Sequence, residues 1–390
     1  MTGAQGTSAA RSAESAPPAT RFAELTSYDV ADFAVPTARD EDWRFTPLKR
    51  LVGLHDGTFE AEKAPLSRET GELPAGVRAE SVGRDDQRVG SALVPFDRVS
   101  AQAYTSFSEA YVLSVDANAV VETPVVVNVR GGSADGASFG HTVVDIGQSA
   151  EATVVLDHTG SAVLADNVEI LVGDNAKLVL VTVQDFDPGS VHVQHQRVRL
   201  GRDARIVHVS VSLGGDLVRQ FTSVDYSGRG GEADVYGIYF ADGGQHLEHR
   251  QLVDHSVPDC RSNVLYRGAL QGVDAHTVWI GDVLIRPDAT GTDTYEINRN
   301  LVLTEGARAD SVPNLEIQTG DVVGAGHASA TGRFDDEQLF YLMSRGITAE
   351  NARRLVVRGF FAELINKIPV ESLRERITAT VEARLSEAGA

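Results

Sequence analysis

Six times between residues 147 and 306 a glycine is followed three positions later by an alanine. The pairs are Gly147/Ala150, Gly173/Ala176, Gly201/Ala204, Gly230/Ala233, Gly272/Ala275 and Gly306/Ala309. Successive glycines are 26, 28, 29, 42 and 34 residues apart. Each pair lies between apolar, β-branched runs, as VEILV and LVLVTV flank the second pair. A strand–turn–strand unit recurring at this period is how stacked β coils read in sequence. Glycine is expected to supply a positive φ in the turn, and alanine to point into a narrow interior. Helical periodicity is nearly absent between Tyr111 and Val323, which excludes a doubly wound sheet with its alternating helices. The reading is a mainly β chain, a parallel β-helix (solenoid) over residues 111–330 in which each coil buries its apolar face on its neighbours. The unequal steps imply coils of unequal length.

The flanks read differently. Residues 1–20 are mostly Ala, Ser, Thr, Gly and Pro with no apolar core, so a disordered tail is expected rather than a secretory signal. Residues 21–110 form a mixed, partly helical region. Within it Trp43 and Phe45 are expected to pack a small subdomain under a loop, and Phe107–Ala110 to form a helical turn. Residues 331–390 are helical. Asp335 with Gln338 resembles a capping box, Leu339, Phe340, Leu342 and Met343 supply an apolar face, and Gly346 is a C′ stop. Thr348 caps the next helix, whose stripe is Ala352, Leu355, Val356, Phe360, Leu364, Ile365 and Ile368. Pro369 ends it, and Leu373, Ile377, Val381 and Leu385 mark a last helix. Helices this short must dock on the β core or on another protein.

Composition narrows the function. A net charge of −20 argues against nucleic acid and anionic membrane, both of which need basic surface. It fits a soluble cytoplasmic chain with protein partners. The single cysteine, Cys260, excludes an internal disulfide and a cysteine-rich metal site. No apolar run is long enough to span a bilayer.

Two stretches hold ligand-type side chains. His246, Glu248, His249, His255 and Cys260 are the densest set, but on a strand His246 and Glu248 share one face while His249 takes the other. The plainer reading is a polar strand with histidines on the coil surface and a small buried cysteine. The second stretch is Asp321–Ile347, where His327 stands among Gly, Ala, Ser and Thr at the expected strand-to-helix junction. Small neighbours leave that imidazole room to meet an outside group, although a plain loop histidine fits as well. Val323-Gly324-Ala325-Gly326 opens like a dinucleotide-binding turn, but Ser329 replaces the third glycine and no βαβ unit surrounds it. No nucleophile elbow, P-loop, zinc-protease or CxxC motif is present, so the chain is expected not to be an enzyme. The alternative, a solitary β-helix enzyme on polysaccharide, wants an aromatic-lined groove, and aromatics are only 6%.

SVPNLEIQTGDV at Ser311–Val322, then His327, GRFDDEQ from Gly332 and LFYLMSRGI at Leu339–Ile347 together resemble the C-terminal signature of the SufB/SufD family of iron–sulfur cluster assembly scaffolds. WRFTPL at Trp43–Leu48 resembles that family's N-terminal motif. Gly324, Ala325 and Gly326 stand where SufB-like members carry a cysteine, in a segment one residue longer than the commoner form. The missing thiol points to the SufD branch. The resemblance implies a right-handed β-helix that pairs with SufB through its edge, with homodimers open for the isolated chain. It implies binding of the ATPase SufC by the C-terminal helices, assigned here to Phe340, Leu342, Phe360 and Leu364. It places His327 at the interface where the cluster is built, as a transient metal ligand shared with the partner. No permanently bound cofactor is implied, only a transient iron–sulfur cluster. Imidazole can stand in for thiolate on iron.

Overall fold

The computed structural model describes residues 25–60, 66–334 and 336–387. The expected tail lies outside the described residues, as does Asp335 of the expected capping box. Short elements come first: β1 (Ser67–Thr70), β2 (Val77–Val82), α1 (Arg98–Ser106) and β3 (Ala110–Val115). Two long strands follow, β4 (Val125–Ile146) and β5 (Glu151–Val172). Then come β6 (Lys177–Phe186), β7 (Val191–Leu200), β8 (Arg205–Ser212), β9 (Leu217–Tyr226), β10 (Glu232–Ala241) and β11 (His246–His255). The series closes with β12 (Arg261–Leu270), β13 (His276–Ile285), β14 (Thr292–Val302), β15 (Arg308–Ile317) and β16 (Val322–Arg333). Three helices end the chain: α2 (Asp336–Ser344), α3 (Ala349–Ile365) and α4 (Glu371–Glu387). The sequence expectation of a helical turn at Phe107–Ala110 is not met. The helix lies just upstream, started by an Asp97/Ser100 capping box.

From β6 on, even-numbered strands pair in parallel with one another, and odd-numbered strands do the same. β4 and β5 bend through a corner and contribute to both sheets. The result is a parallel β-solenoid. Its coil length varies: Glu151 meets Lys177 26 residues on, while Arg261 meets Asp293 32 residues on. Between the sheets lie Val154, Leu178, Ile206, Val235, Val264 and Val283. At about 25 cal/mol per Å² of apolar area removed from water, this continuous seam is the main favourable contribution to the fold.

The glycine–alanine pairs mark the corners, but not as one series. Ala150, Ala176 and Ala204 stack at the same corner, each carbonyl accepting the amide of the residue that opens the next coil. Cys260 takes the equivalent place two coils later, bonded to Asp293 N–H. Gly272/Ala275 belongs to the opposite corner, which accounts for the 42-residue step, and Ala233 and Ala309 lie inside strands. The expected positive φ is found at Gly230, Gly272 and Gly306, but not at Gly147, Gly173 or Gly201. In those three turns Ser149, Asn175 and Asp203 are left-handed instead. The glycine is there for closeness: a Cβ on Gly173 would stand 2.8 Å from the Gln148 amide of the coil before.

Both outer faces are covered in part. Trp43 is buried, as expected, but against the solenoid's Val163, Val193 and Leu217 rather than within a small subdomain, and Phe45 is only half-buried. The buried Arg219 guanidinium lies 3.9 Å over the Trp43 ring. Thr46 donates to the buried Glu248 carboxylate at 2.7 Å. On the other sheet, Val357, Phe361, Leu364 and Ile368 of the α3 segment and Ile377 and Val381 of α4 pack on Val181, Val183, Val209, Val211 and Ile238. Arg376 pairs through both nitrogens with Asp157, at 2.7 and 2.8 Å.

The solenoid's two ends differ. At the first, β1 lies antiparallel on β4 and β2 antiparallel on β3. At the other, β15 and β16 are the last strands of their sheets, and among the described residues nothing pairs with their outer edges. Unpaired edges are templates for another chain.

Candidate functional site

His327 lies on that open end. It is not in a loop at a strand-to-helix junction, as the sequence suggested, but in the middle of β16. The segment's extra residue is absorbed before it. Thr292 pairs with Val322 and Asp293 with Gly324, so Val323 bulges out and is 75% exposed. A one-residue bulge re-aims the side chains beyond it, and from Gly324 on the register is regular, with His327 opposite Glu296 of β14.

That register brings a partner the sequence reading missed. His327 Nδ1 is 3.8 Å from Glu296 Oε1, with the imidazole 40% exposed and the carboxylate 1%. No side chain among the described residues hydrogen-bonds either Glu296 oxygen. Burial, and next the charge of Asp282, push the Glu296 pKa up to about 8, with the Asn314 backbone N–H pulling it down. Asp282 is itself buried and accepts from Asn314 Nδ2 at 2.8 Å. Space for the carboxylate depends on Gly281, where a Cβ would collide with Glu296 and with the Trp279 ring. At neutral pH Glu296 is therefore a protonated, buried acid under an accessible imidazole. It was hard to find because β14 inverts the usual pattern: Thr294, Glu296, Asn298 and Asn300 are buried while Tyr295 and Arg299 are exposed. In a half-buried strand the polar residues are expected outside.

The set around His246 does not assemble. His246 Nε2 is 3.1 Å from Glu248 Oε2 on one side of β11. His249 points the other way, into the solenoid, 2.9 Å from Ser212 Oγ and stacked on Tyr239. His255 stacks on Tyr226. The expected surface placement is wrong for all three histidines, which are buried. Polar neighbours and rings, rather than water, surround them. Cys260 is also buried, which raises its thiol pKa, so it stays a protonated thiol.

The four residues assigned to ATPase binding separate into two groups. Phe340 is 74% exposed, beside exposed Tyr341 and Met343, and Leu342 and Phe360 are half-buried. Leu364 is fully buried against the solenoid. Its assignment is corrected to a residue that holds α3 down, because a side chain already packed on Val209 and its neighbours has no surface to offer. No helix among the described residues is long and apolar enough to cross a membrane.

Comparison with known proteins gives a consistent picture. Residues 129–360 match the family model described as the SUF system FeS cluster assembly SufBD core domain. An iron–sulfur cluster assembly SufBD family protein of Mycobacterium tuberculosis is 56% identical over 365 residues, 92% of this chain and 91% of that protein. One from Mycobacterium leprae is 54% identical over 366 residues, 92% and 93% of the two chains. The iron–sulfur cluster assembly protein SufD of Escherichia coli is 27% identical over 386 residues, 90% of this chain and 89% of that one.

Proposed function

The chain belongs to the SufBD family of iron–sulfur cluster assembly proteins, and within that family we propose that it is the SufD-like, non-catalytic scaffold subunit. In this reading it works in the cytoplasm, pairs with SufB through the open end of its solenoid, and binds the ATPase SufC through α2 and the exposed side of α3. The observation that carries the reading is His327 on β16, a strand whose outer edge has no partner among the described residues, set over a buried carboxylic acid and with no thiol nearby. Such a site offers one soft-to-borderline nitrogen donor and cannot hold a cluster alone. Thiolates must come from the partner, and the cluster is cargo shared across the interface rather than a resident cofactor. The His327 imidazole would hold the iron, and the Glu296 acid 3.8 Å from Nδ1 would lose its proton to solvent as the metal's charge arrived. Binding is then coupled to proton release.

The exposed apolar side chains Phe340, Tyr341 and Met343 support the ATPase assignment, since adjacent large apolar residues on a helix are a natural partner surface. The test is co-expression with SufB and SufC. Wild type is expected to co-purify with both. Phe340→Asp, on a side chain that packs little, is expected to lose SufC, keep SufB and melt as wild type does. Retention of SufC at the wild-type ratio would refute the placement.

A further inference from the structure

At the far end of the solenoid, three buried side chains that take no part in the edge-strand site come together. His158 and Asp166 lie on β5 either side of its corner, and β7 brings His192 beside them. One donor atom from each lies within 4.8 Å of the others. All three are at most 3% exposed.

The hydrogen bonds around them leave lone pairs free. His158 Nδ1 donates to the Val183 carbonyl at 3.0 Å, so its Nε2 carries the free lone pair. His192 Nε2 is 2.8 Å from Asp166 Oδ1, and its buried Nδ1 has no partner among the described residues. Gln194 donates to the other Asp166 oxygen at 3.1 Å. Ligating imidazoles characteristically donate their second N–H to a carbonyl, and ligating carboxylates are held by an amide. His158 has such a carbonyl and Asp166 such an amide, while His192 Nδ1 has neither among the described residues. The Phe186 ring, centred 5.2 Å from the His192 ring, closes one side. Burial and the neighbouring His192 hold the His158 pKa down to about 4, so the ring is neutral at physiological pH.

We propose that His158, Asp166 and His192 form a binding site for a divalent first-row transition metal, held by two imidazole nitrogens and one carboxylate. Two histidines and a carboxylate with open positions suit Fe(II), Mn(II), Co(II) and Zn(II), and exclude the soft, thiolate-seeking ions. The site is independent of His327, which lies in the last coil. One feature of the surroundings opposes the metal. Burial lowers the Arg68 pKa, and the neighbouring Asp166 carboxylate partly offsets that by attracting the guanidinium charge. The guanidinium competes with a cation for the same carboxylate and sets the affinity.

The tag-free, metal-stripped chain is titrated with Co(II), read by its visible absorption, and with Zn(II) against a chromophoric chelator. One equivalent is expected to bind. Asp166→Asn and His192→Gln are each expected to weaken binding at least ~10-fold. Arg68→Gln is expected to tighten it. Zn(II) is also expected to raise the melting temperature of the unaltered chain, because a ligand of the folded state stabilises it. This last measurement does not depend on any variant folding. A wild-type chain that takes up no Co(II) and gains no stability from Zn(II) overturns the proposal. So does binding that survives both ligand substitutions.

Discussion

Replacing Glu296 with glutamine removes a titration while keeping the side chain's shape. In the folded chain the carboxyl pKa is raised from 4.5 to about 8. The folded state therefore binds more protons than the unfolded one between those values, and Glu296 makes stability fall as pH rises through that window. Below about pH 4.5 both states are protonated and the residue contributes nothing. Each pKa unit corresponds to about 1.4 kcal/mol. The full shift then costs at most about 5 kcal/mol above pH 8, and about 3 kcal/mol at pH 7. The residue sits under an edge strand that can relax toward water, and relaxation of this kind reduces desolvation costs substantially. A gain of about 2–3 kcal/mol for Glu296→Gln at pH 9 is the expected figure. The assay is urea unfolding of the isolated chain at pH 5, 7 and 9. The midpoints of wild type and variant should lie closest at pH 5 and separate progressively, with the variant higher. Equal midpoints at all three values would mean that Glu296 is ionised or well partnered, and the protonated acid under His327 would be refuted.

Acid should act in the opposite sense. Burial lowers the pKa of His158, His208 and His255 to about 4 and that of His249 to about 3. The stability they contribute by staying neutral is complete above about pH 6.5 and is lost as pH falls toward 4, by up to about 3 kcal/mol for each of the first three. Melting temperature should drop steeply across that range, and His208→Gln should flatten the drop. Phe361, fully buried between α3 and the solenoid, tests the docking of the helices. Phe361→Ala is expected to cost about 3–5 kcal/mol and to increase proteolysis within residues 345–387, and an unchanged cleavage pattern would show that α3 is not held there.

Much of this was legible in the residues, but for reasons that differ from site to site. The apolar runs between Tyr111 and Val323 gave away the solenoid because every coil must bury its face on another. The turns were harder. Gly173 reads as a residue chosen for positive φ, yet Asn175 carries that φ, and the glycine exists because another coil's backbone lies against it. Only the stacked structure supplies that constraint. The helix caps at Thr348 and Gly346 were readable because capping is local chemistry. Leu364 was not separable from Phe340 by sequence, since both are apolar and helical, and only docking decides which face is free. Glu296 stayed hidden because its strand turns polar residues inward. His158, Asp166 and His192 stayed hidden because the coil length that unites them is variable.

On the function proposed above, His327 serves cluster assembly at an interface and does not hold the fold together. This role is tested most directly by purifying the three-subunit complex with His327→Ala and following cluster formation on it from ferrous iron and sulfide. The expected result is a complex of unchanged stoichiometry and melting temperature on which cluster formation is lost. A complex that builds clusters at the wild-type rate would contradict it and leave His327 an ordinary edge-strand residue.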